Sequence, residues 1–492
     1  MPITEPNSLV AFLTDTRTVV AMAVHVAIAG WVSVHALLHK RDVGSTAGWI
    51  GLAWLSPLFG GALYFVVGIN RVQRRAQELH DATPGSAMTA RLAGDMAPEE
   101  SAGSLPGSER DDHLAALDRA AGLITGRPAL NGNRVTKLRN GDEAYPQMLA
   151  AIEAAQTSIA LCSYILRDDA AGGPFIDALA RAKSRNVEVR VLIDGIGGGY
   201  FTSRAYRRLQ REGVPAARFM HSLMPWRMPF LNLRTHKKIL VVDGAHAFTG
   251  GLNIGAENVL ALKPRHPVLD NHFAVRGPVV GQLMAAFAND WLLATGETLS
   301  GPAWYPPLNA TGQQTSRVVT AGPDQDVQKI EYVALMAITC AQRSVTVMTP
   351  YFLPDDRLVS ALCVAALRGV AVDIVIPGQS NHRLVDFATR ANIGPLLHSG
   401  CRIWKNPPPF DHSKLMVVDG TWALIGSTNW DVRSFRLNFE LNLEVYSTDL
   451  AQILQGQMLE KRGDALTAAE LQRRGIGTRL RDAGSRLLLP YL

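Results

Sequence analysis

The chain has 492 residues, a length that suits about three domain-sized units and a sizeable buried core. Hydrophobic residues make up 47% and charged residues 19%, with a mean hydropathy of +0.05; this excludes a disordered or collagen-like chain and is high for an enzyme living wholly in water. The balance of 49 basic to 43 acidic residues, net +6, is a mild excess that fits an anionic membrane surface or a phosphate-bearing substrate and does not by itself point to nucleic acid.

From Val19 to Leu38 the chain reads VVAMAVHVAIAGWVSVHALL, twenty residues without Lys, Arg, Asp or Glu, and from Trp49 to Ile69 it reads WIGLAWLSPLFGGALYFVVGI, twenty-one more. Each run is long enough to cross ~30 Å of hydrocarbon as a helix, so residues 1–78 are expected to form an anchor with two transmembrane helices. The first run is too long for a signal-peptide core, and no small-residue cleavage site follows it. Arg17 precedes the first run, Lys40 and Arg41 lie between the two, and Arg71, Arg74 and Arg75 follow the second. The positive-inside bias then puts the long C-terminal part in the cytoplasm. Residues 79–112 are rich in Pro, Gly, Ala, Ser and charge and read as a flexible linker.

The remainder is written twice, over residues 113–310 and 311–492. SIALCSYI from Ser158 is matched by SVTVMTPYF from Ser344, and LARAKSRNVEVRVLIDG from Leu179 by LCVAALRGVAVDIVIPG from Leu362. LQREGVPAARF from Leu209 is matched by LLHSGCRIWKN from Leu396. Amphipathic helices alternate with β-branched strands in each copy, which predicts an α/β sandwich for each half. The four cysteines, Cys162, Cys340, Cys363 and Cys401, form no CxxC pair, and neither a disulfide framework nor a zinc site is expected.

Both copies carry one further signature. HKKILVVDGAHAFTGGLN supplies His236, Lys238, Asp243 and Asn253; HSKLMVVDGTWALIGSTN supplies His412, Lys414, Asp419, Ser427 and Asn429. Residues i and i+2 of an extended segment share a face, so each His and Lys point the same way. Two facing halves then surround one cavity with two imidazoles, two ammoniums and two carboxamides. Such a cavity suits a phosphodiester: one imidazole attacks phosphorus, the other protonates the leaving oxygen, and the cations and amides neutralise the charge that builds. Lysines beside the histidines repel a metal ion, and no metal or other cofactor is expected.

The aspartates lie seven residues from their histidines. That odd offset turns them away from the cavity and favours a turn or ion-pair role over direct catalysis. The carboxylate that orients an imidazole is expected elsewhere: Glu440, in FRLNFELNLEV after the second motif, and Asp270, in LDNHFAV at the matching place of the first half. Between Phe219 and His236 the chain is rich in Met, Phe, Pro and Trp, and Met224, Trp226, Met228 and Phe230 read as a lip that touches acyl chains.

The duplicated H-x-K-x4-D motifs resemble those of the phospholipase D superfamily. The N-terminal apolar pair, YILRDD, IDGIGG, RTHKK, PYFLPDD, RSFRLNFELN and the final RLLLPYL resemble the two-span bacterial cardiolipin synthases, over most of the chain from Val19 onward except the linker. The resemblance implies a duplicated phospholipase D-type α/β fold in a bacterial inner-membrane, multi-pass protein. It also implies transfer of a phosphatidyl group between two phosphatidylglycerols without a metal, and catalytic roles for His236, Lys238, Asp243, His412, Lys414 and Asp419. Hydrolysis or exchange of other phospholipid head groups is the alternative on the same fold. A nuclease of this superfamily would need a basic, aromatic-lined groove, against which the modest charge and the apolar spans argue.

Overall fold

The computed structural model describes residues 16–40, 43–68, 112–199, 201–221, 234–323 and 326–487. The linker up to residue 111, the basic residues Arg41, Arg71, Arg74 and Arg75, and the lip residues Met224, Trp226, Met228 and Phe230 lie outside the described residues. The chain forms two compact units, Met1–Arg74 and Arg75–Leu492.

In the first unit one helix runs over Thr16–His39. Its Arg17–His39 stretch is, among the described residues, the one helix long and apolar enough to cross a membrane by length and composition. The second apolar run is not one continuous helix. It divides into Val43–Leu55, Pro57–Leu63 and a π-helical turn over Tyr64–Gly68. The break is at Ser56, whose φ of −149° and ψ of 82° are non-helical. Proline disfavours helical geometry in the residue before it and contributes no N–H, so Ser56-Pro57 interrupts a segment that hydropathy reads as unbroken. Ala29, Val32, Ala36, Ala53 and Tyr64 pack together where these helices meet, small side chains allowing close approach. His35 Nδ1 lies 2.8 Å from Tyr64 Oη.

The second unit is built on one mixed sheet. The first half contributes β1 (Leu130–Arg139), β2 (Ser158–Ser163), β3 (Glu188–Asp194), β4 (Ala216–Phe219), β5 (Ile239–Val242), β6 (His246–Gly250), β7 (Val268–Leu269) and β8 (Asn271–Arg276). The second contributes β9 (Gln314–Ala321), β10 (Ser344–Met348), β11 (Phe352–Leu353), β12 (Ala371–Pro377), β13 (Arg402–Asn406) and β14 (Phe410–Asp411). It continues with β15 (Leu415–Val418), β16 (Trp422–Gly426), β17 (Trp430–Asp431), β18 (Glu440–Tyr446) and β19 (Ala465–Leu466). Fifteen of these strands lie side by side in the order β4-β3-β2-β5-β6-β8-β1-β9-β18-β16-β15-β10-β12-β13-β19. The order reads the same outward from the β1–β9 junction in both directions until β19 adds an edge. The repeat in the sequence is therefore a repeat in space, and the halves join antiparallel through Leu130–Ser316 and Asn133–Gln314.

Within the sheet the strands joined by helical crossovers, β2-β3-β4 and β10-β12-β13, are parallel, while the inner strands and the edge strand β19 pair antiparallel. The helix Gly172–Ser184 shows why the layers stack. Phe175, Ile176, Leu179 and Ala182 recur at helical spacing and are buried against Leu161, Val191 and Ile193 of the sheet. The second half has its own core, in which Leu358, Leu362 and Ala365 meet Val345, Val347 and Ile374.

Candidate active site

Each motif forms a hairpin, β5–β6 and β15–β16, with an Asp-Gly turn. Asp243 and Gly244 have φ of 50° and 62°, and Asp419 and Gly420 have 55° and 66°. With Ala245 N donating to Val242 O and Thr421 N to Val418 O, both are type I′ turns, whose twist suits a tight hairpin.

These turns show where the aspartates lie, at the position that the odd offset from the histidines predicts. The Asp243 carboxylate accepts from the backbone N–H groups of Gln156, Thr157 and Ser158 and from Thr157 Oγ1. That of Asp419 accepts from Gln342, Arg343 and Ser344 N–H and meets His113 Nε2 at 2.8 Å. Burial pushes both carboxyls up, but the backbone donors outweigh it and hold them below the ordinary value of 3.8. The aspartates fasten the turn of each hairpin to the start of the neighbouring strand. They sit at the far end of β5 and β15 from the histidines.

At the near end, each histidine is docked on the other half. His236 N donates to Phe439 O at 2.8 Å, and His412 N to Leu269 O at 2.7 Å. The short strands β7 and β14 pair in parallel beside His412, and Thr235 bridges Phe439 beside His236. The two imidazoles face one another with centroids 6.4 Å apart and planes at 80°. That separation matches a phosphorus held between them, with one nitrogen at a near-attack distance of ~3–3.5 Å and the other within hydrogen-bond reach of the opposite oxygen.

The orienting carboxylates also cross. Glu440, from the second half, has Oε2 3.1 Å from His236 Nδ1; Asp270, from the first, has Oδ2 2.9 Å from His412 Nδ1. Both are the residues singled out from the sequence. His236 Nδ1 also meets the carbonyl oxygen of Ser427 at 3.0 Å, and Ser427 Oγ donates to Glu440. With two acceptors before it, His236 Nδ1 carries the proton and Nε2 keeps its lone pair. His412 Nδ1 instead lies between Asp270 and Lys414 Nζ, each at 2.9 Å.

Lys238 and Lys414 are buried behind the imidazoles, each donating to the carbonyl of its own motif's histidine. Burial lowers both histidines well below 6.5, and the two lysines add to this, so the resting imidazoles are neutral. Burial also brings Lys238 down to about 7 and Lys414 to about 8, and lifts Asp270 and Glu440 to about 7. Burial thus draws all four groups towards their neutral forms beside the histidines.

In front of the histidines opens a cavity of about 1470 Å³ whose wall includes His236, His412, Asn253 and Asn429. The expected carboxamides are therefore brought to the imidazoles, while the ammoniums stand one layer back. Asn253 Oδ1 accepts from Ile165 N at 3.3 Å, and Asn429 Nδ2 faces Ser434 Oγ at 3.4 Å. Sequence reasoning missed Tyr164 and Tyr351. Their rings meet His236 and His412 edge-on at 5.0 and 6.3 Å, and the signal was a tyrosine following the central strand in both copies. Arg234, in the cavity wall, donates to Tyr164 Oη at 3.1 Å.

The profile of the family described as "Cardiolipin synthase, PLD-like domain" matches residues 148–291 and 335–461, one H-x-K-x4-D motif in each segment. The chain belongs to the cardiolipin synthase family. Among proteins similar to it, the cardiolipin synthase of Geobacillus kaustophilus is 34% identical, covering 92% of this chain and 90% of that one. The cardiolipin synthase 1 of Bacillus anthracis is 31% identical over 99% of this chain and 97% of its own length. The crystal structure of a phosphatidylserine synthase from Haemophilus influenzae superposes with a TM-score of 0.59 at 16% identity, covering 76% of this chain and 100% of that one; at that identity it supports the fold alone. As a cardiolipin synthase family member, the chain is a phosphatidyltransferase of the phospholipase D type.

Proposed function

We propose that this enzyme joins two phosphatidylglycerols into cardiolipin and glycerol through a phosphohistidine, with His236 as the nucleophile. His236 Nε2 attacks phosphorus, and the bond from phosphorus to the head-group glycerol breaks. His412 gives its proton to the departing oxygen. Neutral His412 then takes the proton of a second phosphatidylglycerol's terminal hydroxyl, whose oxygen displaces His236 from phosphorus. Lys238, Lys414, Asn253 and Asn429 stabilise the charge that develops, and Glu440 and Asp270 hold the rings in place. An anionic phosphate in the cavity raises the imidazole pKa values, since a neighbouring negative charge favours imidazolium; substrate thus charges the acid.

The observation that carries this reading is the facing pair of rings, 6.4 Å apart, each with Nδ1 engaged from behind. The acceptor-only surroundings of His236 Nδ1 support its role as nucleophile. His412, between Asp270 and Lys414, has partners with which to exchange a proton.

The apolar segments anchor the enzyme in the bacterial inner membrane as a multi-pass protein, with the catalytic body in the cytoplasm. Arg17, in the first turn of the helix Thr16–His39, supports this orientation, which thiol labelling of cysteines placed in the linker tests. Confinement to the bilayer raises the local concentration of lipid acceptor and favours transfer over hydrolysis.

Incubating the purified full chain with phosphatidylglycerol alone and separating the lipids tests the reaction. Cardiolipin plus glycerol is expected; phosphatidic acid makes the enzyme a hydrolase. His236→Ala and His412→Ala each abolish turnover. With a nitrophenyl phosphatidyl ester, which needs no general acid, His412→Ala still forms a labelled phosphoenzyme and His236→Ala does not. Substantial cardiolipin synthesis by either variant defeats the two-histidine scheme.

A further inference from the structure

We propose that the arm of the cavity beside His412 is a second phosphate subsite, taking the phosphodiester of the acceptor lipid. This rests on the transfer reading above. An acceptor phosphatidylglycerol must bring its hydroxyl to the phosphohistidine while its own anionic phosphate follows only three carbons behind. Two phosphodiesters that close repel each other in a cavity of low polarity, and an enzyme that favours this acceptor over water must supply cations for the second one.

Such cations stand at the His412 arm and come from both halves. Arg265 and His266 ride on the stretch leading into β7, and β7 pairs Val268 with Phe410 of β14, so the first half overhangs the second half's histidine. His382 and Arg383 follow β12 in the second half, with the His382 ring 5.6 Å from that of Tyr351. Tyr351 and Phe410 lie 6.4 Å apart and 6.3 and 6.1 Å from His412. Two basic pairs thus flank an aromatic floor next to the general acid–base. All four basic residues line the cavity and are exposed.

Over the whole cavity the charge is unbalanced. Five arginines line the cavity against two acids, Glu257 and Asp431. Glu257 is taken by Arg167 at 2.9 Å, and Asp431 by Ser434 N at 2.7 Å. Among the described residues, Arg265 and Arg383 have no ion-pair partner, whereas Arg390 and His382 favour the charged form of Asp386. The two arms also differ in construction. Sixteen residues separate Asn253 from Asp270 in the first half, but only ten separate Asn429 from Glu440 in the second. The longer stretch carries Arg265 and His266 to the His412 arm, whereas the shorter one carries Arg433, which lines the cavity on the side of Arg234 and Tyr164. The His236 arm is walled by Arg234, joined to Tyr164, and by Arg433 from the second half. Each arm thus has cations of its own, and those of the His412 arm are the exposed Arg265 and Arg383.

The test compares the full chain with an Arg265→Gln/Arg383→Gln variant in mixed micelles, offering three acceptors to a phosphatidylglycerol donor. These are a second phosphatidylglycerol, glycerol phosphate, which has the charge without the lipid, and labelled glycerol, which has neither. Cardiolipin synthesis is expected to fall about tenfold or more, as loss of charge-assisted phosphate contacts implies. The wild-type preference for glycerol phosphate over glycerol is expected to disappear, while glycerol exchange stays within about twofold, which also shows that the variant is folded. Equal loss with all three acceptors, or a retained preference for glycerol phosphate, overturns the subsite alone. A wild-type chain that transfers to no alcohol overturns the transfer reading and the subsite with it.

Discussion

The first half owns His236 but not the carboxylate that orients it; the second owns His412 and borrows its carboxylate in return. Glu440 and Asp270 occupy equivalent positions, at the start of β18 and just before β8, and each reaches across the junction to the other half's ring. Either half alone would carry a histidine without its partner. The duplication therefore supplies more than a second copy of the motif: it makes the site a property of the pair. The exchange is symmetric in outline and unequal in detail. Glu440 is braced by Ser427 and Asn438, whereas Asp270 shares its imidazole nitrogen with Lys414.

The sharpest way to break this comparison is to remove one crossing carboxylate at a time. Glu440→Gln and Asp270→Asn are each expected to lower kcat by about a hundredfold or more, with little change in KM, because an imidazole loses its tautomer and orientation. The two variants should differ with a nitrophenyl leaving group. Asp270→Asn recovers phosphoenzyme formation, since the acid it serves is no longer needed; Glu440→Gln stays slow, because the nucleophile itself is misaligned. Glu440→Gln added to His236→Ala should cost nothing further, as expected of residues acting as one unit. If Glu440→Gln instead recovers with the activated ester, the carboxylates serve the opposite chemical steps.

Much of this was legible in the chain. The equal spacings of the two motifs announced the repeat, and the odd His-to-Asp offset announced a turn. Glu440 and Asp270 could be named as orienting carboxylates, but chain order does not say which ring each one serves, because the crossing is made by contacts between halves. The interruption at Ser56-Pro57 was written in the sequence and was outweighed there by hydropathy, which averages over local backbone geometry. Tyr164 and Tyr351 lay inside the quoted motifs, yet nothing in their spacing marked them as ring partners of the histidines. His113 carried no signal at all, since its partner Asp419 lies 306 residues away.

A smaller effect separates the turn from the chemistry. Asp243→Ala and Asp419→Ala each leave three backbone N–H groups without their acceptor. A loss of about 1–3 kcal/mol in stability is expected for each, read as a lower midpoint in thermal unfolding. Activity per folded molecule should stay within a few-fold of wild type; a hundredfold loss of kcat in folded protein would return the aspartates to the catalytic set. Because both carboxyls are held below 3.8, their contribution is present above that pH and is lost as pH falls through the lowered value. The variants should therefore differ most from wild type at neutral pH and converge with it in acid.

The smallest effect tests where the halves diverge at these turns. Both aspartates receive three backbone donors, but the fourth is Thr157 Oγ1 in the first half and His113 Nε2 in the second. His113 sits in the first turn of the helix Asp112–Thr125, so this contact ties the beginning of the catalytic body to a motif hairpin. The helix does not depend on it alone. Leu114, Leu117 and Ala121 are buried in the second half's core, and Asp118 pairs with Arg317. His113→Ala is therefore expected to cost only about 1 kcal/mol, and a double-mutant cycle with Asp419→Ala should assign most of that to the pair. Amide exchange should quicken in the first turn of the helix and leave β15–β16 unchanged. If protection is lost along the whole hairpin, the helix holds the motif in place rather than resting on it, and the second half's histidine depends on a segment for which the first half has no counterpart.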